Sequence, residues 1–318
     1  MKIQADITTY LIDNFSPYYI HGKEVGIKEI LAFAGIDTLR VSVFSQTSPL
    51  LTIDKSLSVF DALDGSQTNL YLCVHCSDTW ADPSHQTIPE AWSFASVKEL
   101  KTCFIDYLVS IFETIKSKNI TVKYLQVGNE ISNGLLWSYL RSSLEYVDFI
   151  ITAHYLCRYY FPDAKIVLHT DLSYSSAKAC LWYDLMKNRK VDYDLVGLSY
   201  YPVWHGPLKE LEKTVSEVYA LTGKQVFLCE IGYMNTNEKT SAWFGHWKCG
   251  DIPYSPGGQK QYLEHFRTFL QNRLSQSVYP EMFYWGMFSN GSPEHFPIAL
   301  FDRNGHAFPA FYELKIEN

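Results

Sequence analysis

Eight short runs rich in β-branched and aromatic residues recur along the chain, each followed by a segment long enough for a helix or a long loop. They are 3–8 (Ile-Gln-Ala-Asp-Ile-Thr), 37–44 (Asp-Thr-Leu-Arg-Val-Ser-Val-Phe), 69–75, 122–127, 164–169 (Ala-Lys-Ile-Val-Leu-His), 193–199, 225–229 and 280–285. Several are apolar almost without a break, the pattern of strands covered on both faces. Between them, 24–35, 54–65, 96–118, 142–160, 176–189, 208–222 and 258–276 read as helices. The clearest is 96–118, where Val97, Leu100, Phe104, Leu108, Ile111 and Ile115 form one apolar stripe at helical spacing. Gly35, Asn119 and Gly223 stand just before strands, where helix C-caps belong. This alternation predicts an α/β fold with a parallel sheet. Eight units in 318 residues favour closure into a (β/α)8 TIM barrel, a single domain over 1–318. An open doubly wound sheet is the alternative, but no G-x-G-x-x-G loop follows the first strand to favour it.

Composition removes several function classes. The chain has 27 Lys+Arg against 34 Asp+Glu, a net charge of −7, and no basic face for a polyanion, so nucleic acid is not an expected partner. No apolar run reaches the 18 residues that a membrane-spanning helix needs. The first residues enter a strand-like run directly, so the chain as it stands is expected to be cytoplasmic, with secretion the alternative if a signal was removed. The seven cysteines (73, 76, 103, 157, 180, 229, 249) read as buried reduced thiols. Cys73-Val-His-Cys76 lacks the second close pair of a zinc site. No metal, cofactor or membrane is expected, and the chain is read as a monomer.

The loops after the strands are long (76–95, 129–141, 200–207, 231–257, 286–306) and those before them short, which places a one-sided site at the C-terminal face. Trp80, Trp92, Trp137, Trp204, Trp243, Trp247 and Trp285 all fall in such loops or at strand ends. Flat aromatic faces there suit sugars, whose C–H faces pack on rings while hydroxyls stay free to hydrogen-bond; small loop cores are the other use of Trp. Glu130 and Glu230 each close an apolar run, on the fourth and seventh strands. Two carboxylates flanking one bond are the minimal apparatus for glycoside hydrolysis. Arg40, a charge inside the apolar second strand, needs a partner and is expected to keep a carboxylate nucleophile ionised. His75 ends the third strand, Tyr200 and Tyr201 the sixth and Trp285 the eighth. One of the tyrosine pair, read as Tyr200, is expected to donate to Glu230 and the other to serve as wall, and Trp285 to floor the pocket. A metal hydrolase would want His-x-His on an early strand, and a Schiff-base aldolase a Lys at a strand's C-terminal end; Lys123 and Lys165 are at strand beginnings.

Three stretches carry a resemblance: Ser77-Asp-Thr-Trp-Ala-Asp-Pro-Ser-His-Gln-Thr87, Gln126-Val-Gly-Asn-Glu-Ile-Ser-Asn-Gly-Leu-Leu-Trp137 and Val196-Gly-Leu-Ser-Tyr-Tyr-Pro-Val-Trp-His-Gly206. Together they resemble glycoside hydrolase family 53, the arabinogalactan endo-β-1,4-galactanases. The resemblance implies a retaining (β/α)8 glycosidase acting on β-1,4-galactan or galacto-oligosaccharide, with Glu130 as acid/base and Glu230 as nucleophile. It also implies Asn129 as partner of the sugar 2-hydroxyl. With it, the substrate-binding candidates are Asn129, Arg40, His75, Asp78, Trp80, Tyr200, His205 and Trp285. Cys76 stands where the family has an aromatic, Trp285-Gly286-Met287 where it has Trp-Glu-Pro, and 45–68 is short. Some members hold a calcium, for which no ligand set is evident here. A non-catalytic or altered-specificity β-glycan-binding barrel is the alternative function.

Overall fold

The computed structural model describes residues 1–13, 17–63, 67–93, 96–137, 140, 144–238, 247–288 and 297–315. All eight expected strands form: β1 (Lys2–Asp6), β2 (Thr38–Val43), β3 (Asn69–Val74), β4 (Val122–Val127), β5 (Lys165–Thr170), β6 (Leu195–Tyr200), β7 (Val226–Ile231) and β8 (Val278–Tyr284). They join in chain order into a closed barrel, β8 returning to β1. The β8/β1, β7/β8, β3/β4 and β4/β5 pairs are parallel. Between and after them come α1 (Ile27–Ala34), α2 (Ile53–Ala62), α3 (Val97–Ser117), α4 (Glu145–Tyr160), α5 (Ser176–Asn188), α6 (Leu208–Thr222), α7 (Pro256–Leu274) and the short α8 (Pro309–Tyr312). The fold is the expected α/β (β/α)8 barrel. Every residue of β2, β6 and β7 is buried, which explains why these strands read as continuous apolar runs: the outer face packs under helices and the inner face fills the barrel.

The chain divides into two compact units, Met1–Leu39 with Leu172–Cys180 and Leu198–Asn318, and Arg40–Asp171 with Leu181–Gly197. In the first, Gln4 of β1 uses both ends of its amide on the segment entering β2: Nε2 donates to Asp37 Oδ1 at 2.6 Å and Oε1 accepts from Asp37 N at 3.1 Å. The helix expected over 24–35 begins only at Ile27. Lys23–Val25 instead pairs antiparallel with Tyr18–Ile20, through a two-residue turn at His21 and Gly22 with φ of 51° and 75°. Positive φ at both central residues is the hairpin turn whose twist matches the strands. Tyr18 donates its hydroxyl to Phe288 O at 2.8 Å, and Tyr19 N bonds Gly305 O at 2.8 Å, so the hairpin braces the chain after β8.

In the second unit, α3 starts with a reciprocal cap. Ser96 Oγ accepts from Glu99 N at 3.3 Å, and the Glu99 carboxylate accepts from Ser96 N at 2.8 Å. Its stripe (Leu100, Phe104, Leu108, Ile111, Ile115) is buried as read from the sequence, while Val97 is exposed. Asn119, after the helix, has φ 53°, the left-handed turn that ends it. Arg158 of α4 forks onto Asp192 and Asp194, both at 2.8 Å. Asp194 in turn accepts from Ile166 N of β5 at 2.7 Å. Tyr183 of α5 is fully buried, and its hydroxyl reaches Leu168 O at 3.0 Å and Gly197 O at 2.9 Å. All seven cysteines are free thiols. No described helix is long and apolar enough to cross a membrane.

Removing the Tyr183 hydroxyl leaves its carbonyl partners short of a donor at constant shape. Tyr183→Phe is expected to cost about 1–2 kcal/mol, measured as a lower urea midpoint with unchanged slope; an unchanged midpoint would refute the role given to this hydroxyl.

Candidate active site

The turn after β4 is built around Gly128 and Glu130. Gly128 has φ 85°, and a Cβ there would lie 2.6 Å from Ile131 Cγ2, so the position requires glycine. Glu130 itself has φ 49° and ψ 50°, a left-handed conformation that a non-glycine residue adopts at a cost and that clusters at functional sites. Its N–H points at His169 Nδ1, 3.4 Å away, and Ser132 Oγ just beyond donates to Asp171 Oδ1 at 2.5 Å. Asn129 is nearly buried. Its Oδ1 accepts from Arg40 Nη2 and from Gln126 Nε2, each at 3.0 Å, and its Nδ2 donates to Ala81 O at 2.9 Å.

Arg40 has no exposed surface. Besides Asn129, its Nη2 lies 3.3 Å from Cys73 Sγ and 3.5 Å from Gln126 Oε1, and its guanidinium sits 5.4 Å from the Tyr71 ring centroid. His75 follows β3; its Nδ1 accepts from Ala81 N at 3.1 Å, which leaves the ring proton on Nε2. Burial, and then the Arg40 charge, lower its pKa to about 3, so it is neutral. Trp80 stands edge-on to His75 and Phe44. Asp78 clasps loops together: one oxygen accepts from Ser45 Oγ and, at 2.9 Å, from Thr47 Oγ1, and the other from Glu90 N at 2.8 Å. Cys76 is buried with its thiol pushed up to about 12, chiefly by burial, an inert packing residue. The loops after β3 and β4 are zipped together by Trp137 N on Gln86 O at 2.7 Å and Ile88 N on Trp137 O at 3.0 Å.

Glu230, near the end of β7, is buried. The hydroxyl expected to serve it was that of Tyr200, and the structure corrects this: Tyr201 Oη donates to Glu230 Oε2 at 2.9 Å, while Tyr200 Oη donates to Gly206 O at 2.9 Å. Tyr200 stacks on Phe266 of α7 at 5.5 Å, so it faces the helix layer. His205 Nδ1 accepts from Tyr201 N at 2.9 Å, and burial lowers its pKa to about 3. It holds the Tyr201 backbone rather than offering that nitrogen to a ligand. Trp285 is edge-on to Tyr201, 6.5 Å between centroids. Trp204 is 40% and Trp247 58% exposed; Trp243 lies outside the described residues.

Glu130, Asn129, Arg40, His75, Asp78 and Trp80 thus belong to one unit, and Glu230, Tyr200, His205 and Trp285 to the other. Sequence reading missed Gln126 and His169, and within the pair Tyr200 and Tyr201 it gave the Glu230 hydrogen bond to the wrong member. A polar residue closing an apolar run was the available signal for His169, the last residue of the run read at 164–169. Among the described residues, no group of three His, Cys, Asp or Glu is placed to hold a metal.

Residues 12–313 match the model of the family described as glycosyl hydrolase family 53. Among similar proteins, the arabinogalactan endo-β-1,4-galactanase A of Aspergillus niger is 27% identical, over 82% of this chain and 78% of that one. The protein named probable arabinogalactan endo-β-1,4-galactanase A from Neosartorya fischeri is 29% identical, over 82% and 77%. In fold, the chain superposes on a fungal β-1,4-galactanase with a TM-score of 0.87 at 20% identity, covering 99% of this chain and 98% of that one. On the family 53 catalytic domain of Ignisphaera aggregans the TM-score is 0.85 at 22% identity, covering 98% and 94%.

Three buried imidazoles set an acid limit on stability. Folding lowers His75 and His205 to about 3 and His154 to about 4. The unfolded chain therefore binds the extra protons as pH falls below 6.5. Their stabilising effect is complete above that pH and is lost down to the folded values, by roughly 1.4 kcal/mol per pH unit for each ring. Urea midpoints should fall steeply between pH 6.5 and 4; a flat profile over that range would show that these rings do not stay neutral in the fold.

Proposed function

The chain belongs to glycosyl hydrolase family 53 and is a glycoside hydrolase, and on that premise we propose that it is a retaining endo-β-1,4-galactanase. The observation that supports this most is the family match over 12–313 combined with a carboxylate at each of two parallel strand ends, Glu130 after β4 and Glu230 in β7. The substrate class follows the relatives, which are named for arabinogalactan.

In this reading Glu230 is the nucleophile. Its Oε2 accepts the Tyr201 hydroxyl, which orients the carboxylate, and a carboxylate oxygen attacks the anomeric carbon. Glu130 gives its proton to the departing glycosidic oxygen, and a covalent galactosyl-enzyme forms. Glu130 then takes a proton from the incoming water, and the second displacement restores the original anomeric configuration. Asn129 meets the 2-hydroxyl of the reacting sugar, where a hydrogen bond that tightens in the transition state lowers the barrier. Trp285 and Trp80 supply ring faces for the sugar chain.

Glu230→Ala and Glu130→Ala are each expected to lower reducing-sugar release from β-1,4-galactan by about a thousandfold or more, with xylan, mannan and cellulose as comparison substrates; a Glu230→Ala protein with near-normal rate would sink the assignment. Proton NMR of fresh product should show the β-anomer first, and the α-anomer first would mean inversion. Tyr201→Phe should reduce kcat by roughly tenfold or more, whereas Tyr200→Phe should act on thermal stability. The opposite ranking in kcat would return the role to Tyr200.

A further inference from the structure

Beneath Asn129 lies a buried amide that the reaction as described does not use. Gln126, on β4, has no exposed surface, and its environment fixes which way its own amide points. Arg40 Nη2, 3.5 Å from one end, can only donate, so that end is Oε1. The Tyr71 hydroxyl donates to the same oxygen. Gly128 O, 3.1 Å from the other end, can only accept, so that end is Nε2. The two hydrogens of Nε2 are directed among Gly128 O, Asn129 Oδ1 at 3.0 Å, His169 Nδ1 at 3.0 Å and Cys73 Sγ at 3.1 Å. That same His169 nitrogen receives the N–H of Glu130.

The consequence falls on Asn129. With donors from Arg40 and Gln126 both aimed at one end of its amide, that end must be oxygen. Ala81 O at the other end demands nitrogen. Ala81 takes one of the two Nδ2 hydrogens, and no other partner of that nitrogen is present among the described residues. A rotated Asn129 would set its nitrogen against two donors and its oxygen against a carbonyl, three mispaired contacts in a buried place.

We propose that Gln126 is a positioning residue: it locks the Asn129 amide so that a nitrogen hydrogen is presented to substrate. The group this selects is an oxygen able to accept, a sugar hydroxyl at the reacting ring. The inference rests on the reading of Asn129 as substrate ligand. It goes beyond it in assigning to Gln126 the choice between donor and acceptor.

A double-mutant cycle tests it. Turnover of β-1,4-galactan is measured for wild type, Gln126→Met, Asn129→Ala and the double variant. Binding of β-1,4-galactotriose is measured by calorimetry for the same four in a Glu230→Ala background. Thermal melts report folding. Gln126→Met is expected to lower kcat/KM by about tenfold in the wild-type background, the worth of one well-placed hydrogen bond. In the Asn129→Ala background it should change kcat/KM less than about twofold. Gln126→Glu keeps size and the oxygen facing Tyr71 and Arg40 but loses the donors. It should do at least as much damage as Gln126→Met, and it serves in its place if the latter fails to fold. Equal losses in both backgrounds, or a Gln126→Met protein with wild-type kcat/KM and affinity, would overturn the proposal. A wild type that leaves galactan intact but cleaves or binds another β-1,4-glycan sinks the substrate assignment alone, and the cycle is then decided on that glycan.

Discussion

A guanidinium with no exposed surface is the constraint on which this arrangement depends. Arg40 sits in β2 among residues that are all buried, and a charge there is tolerable only if its N–H groups meet acceptors of fixed position. The acceptors of its Nη2 are Cys73 Sγ of β3, Gln126 Oε1 of β4 and Asn129 Oδ1 in the turn after β4. Together with the Gln126 donor, that last contact orients the Asn129 amide, and the Arg40 charge adds to burial in lowering the proton affinity of His75. A buried residue of β2 thereby shares with Gln126 in setting the hydrogen-bond polarity of Asn129.

A common device fixes the loops that leave the strands. His75, His169 and His205 each use Nδ1 to accept a backbone N–H, from Ala81, Glu130 and Tyr201. An imidazole held this way has its tautomer set by the backbone, and for His75 and His205 burial keeps the ring neutral. These rings work as rigid acceptors, tying the chain after β3, β4 and β6 to defined places. That explains why polar residues close otherwise apolar runs.

Much of the fold was legible because strand and helix periods survive without tertiary knowledge. The α3 stripe repeats at helical spacing, and eight apolar runs of strand length can only alternate with helices in a buried parallel sheet. What stayed hidden has physical reasons. In a barrel both faces of a strand are apolar, so parity does not announce itself, and Tyr200 and Tyr201 were indistinguishable until Phe266 claimed the first and Glu230 the second. The helix read over 24–35 takes in the last two residues of the hairpin before α1, whose strands are three residues each, too short to show a period; only His21-Gly22 marks it. Asp78 stood in a motif rich in polar residues, and nothing in the sequence says that its oxygens are taken up by Ser45, Thr47 and the Glu90 amide. Glu130 and Asn129 were legible because Gly-Asn-Glu interrupts an apolar run, a local break that only function or a turn explains.

The left-handed backbone of Glu130 has a consequence for how this protein can evolve or be engineered. Glycine would relax that position by on the order of 1 kcal/mol, yet it would delete the carboxylate. With Glu130 as the proton donor proposed above, stability and chemistry pull in opposite directions at one residue. Thermostable descendants of this chain would have to gain their stability elsewhere, leaving the strained turn as a fixed point around which the rest of the sequence is free to drift.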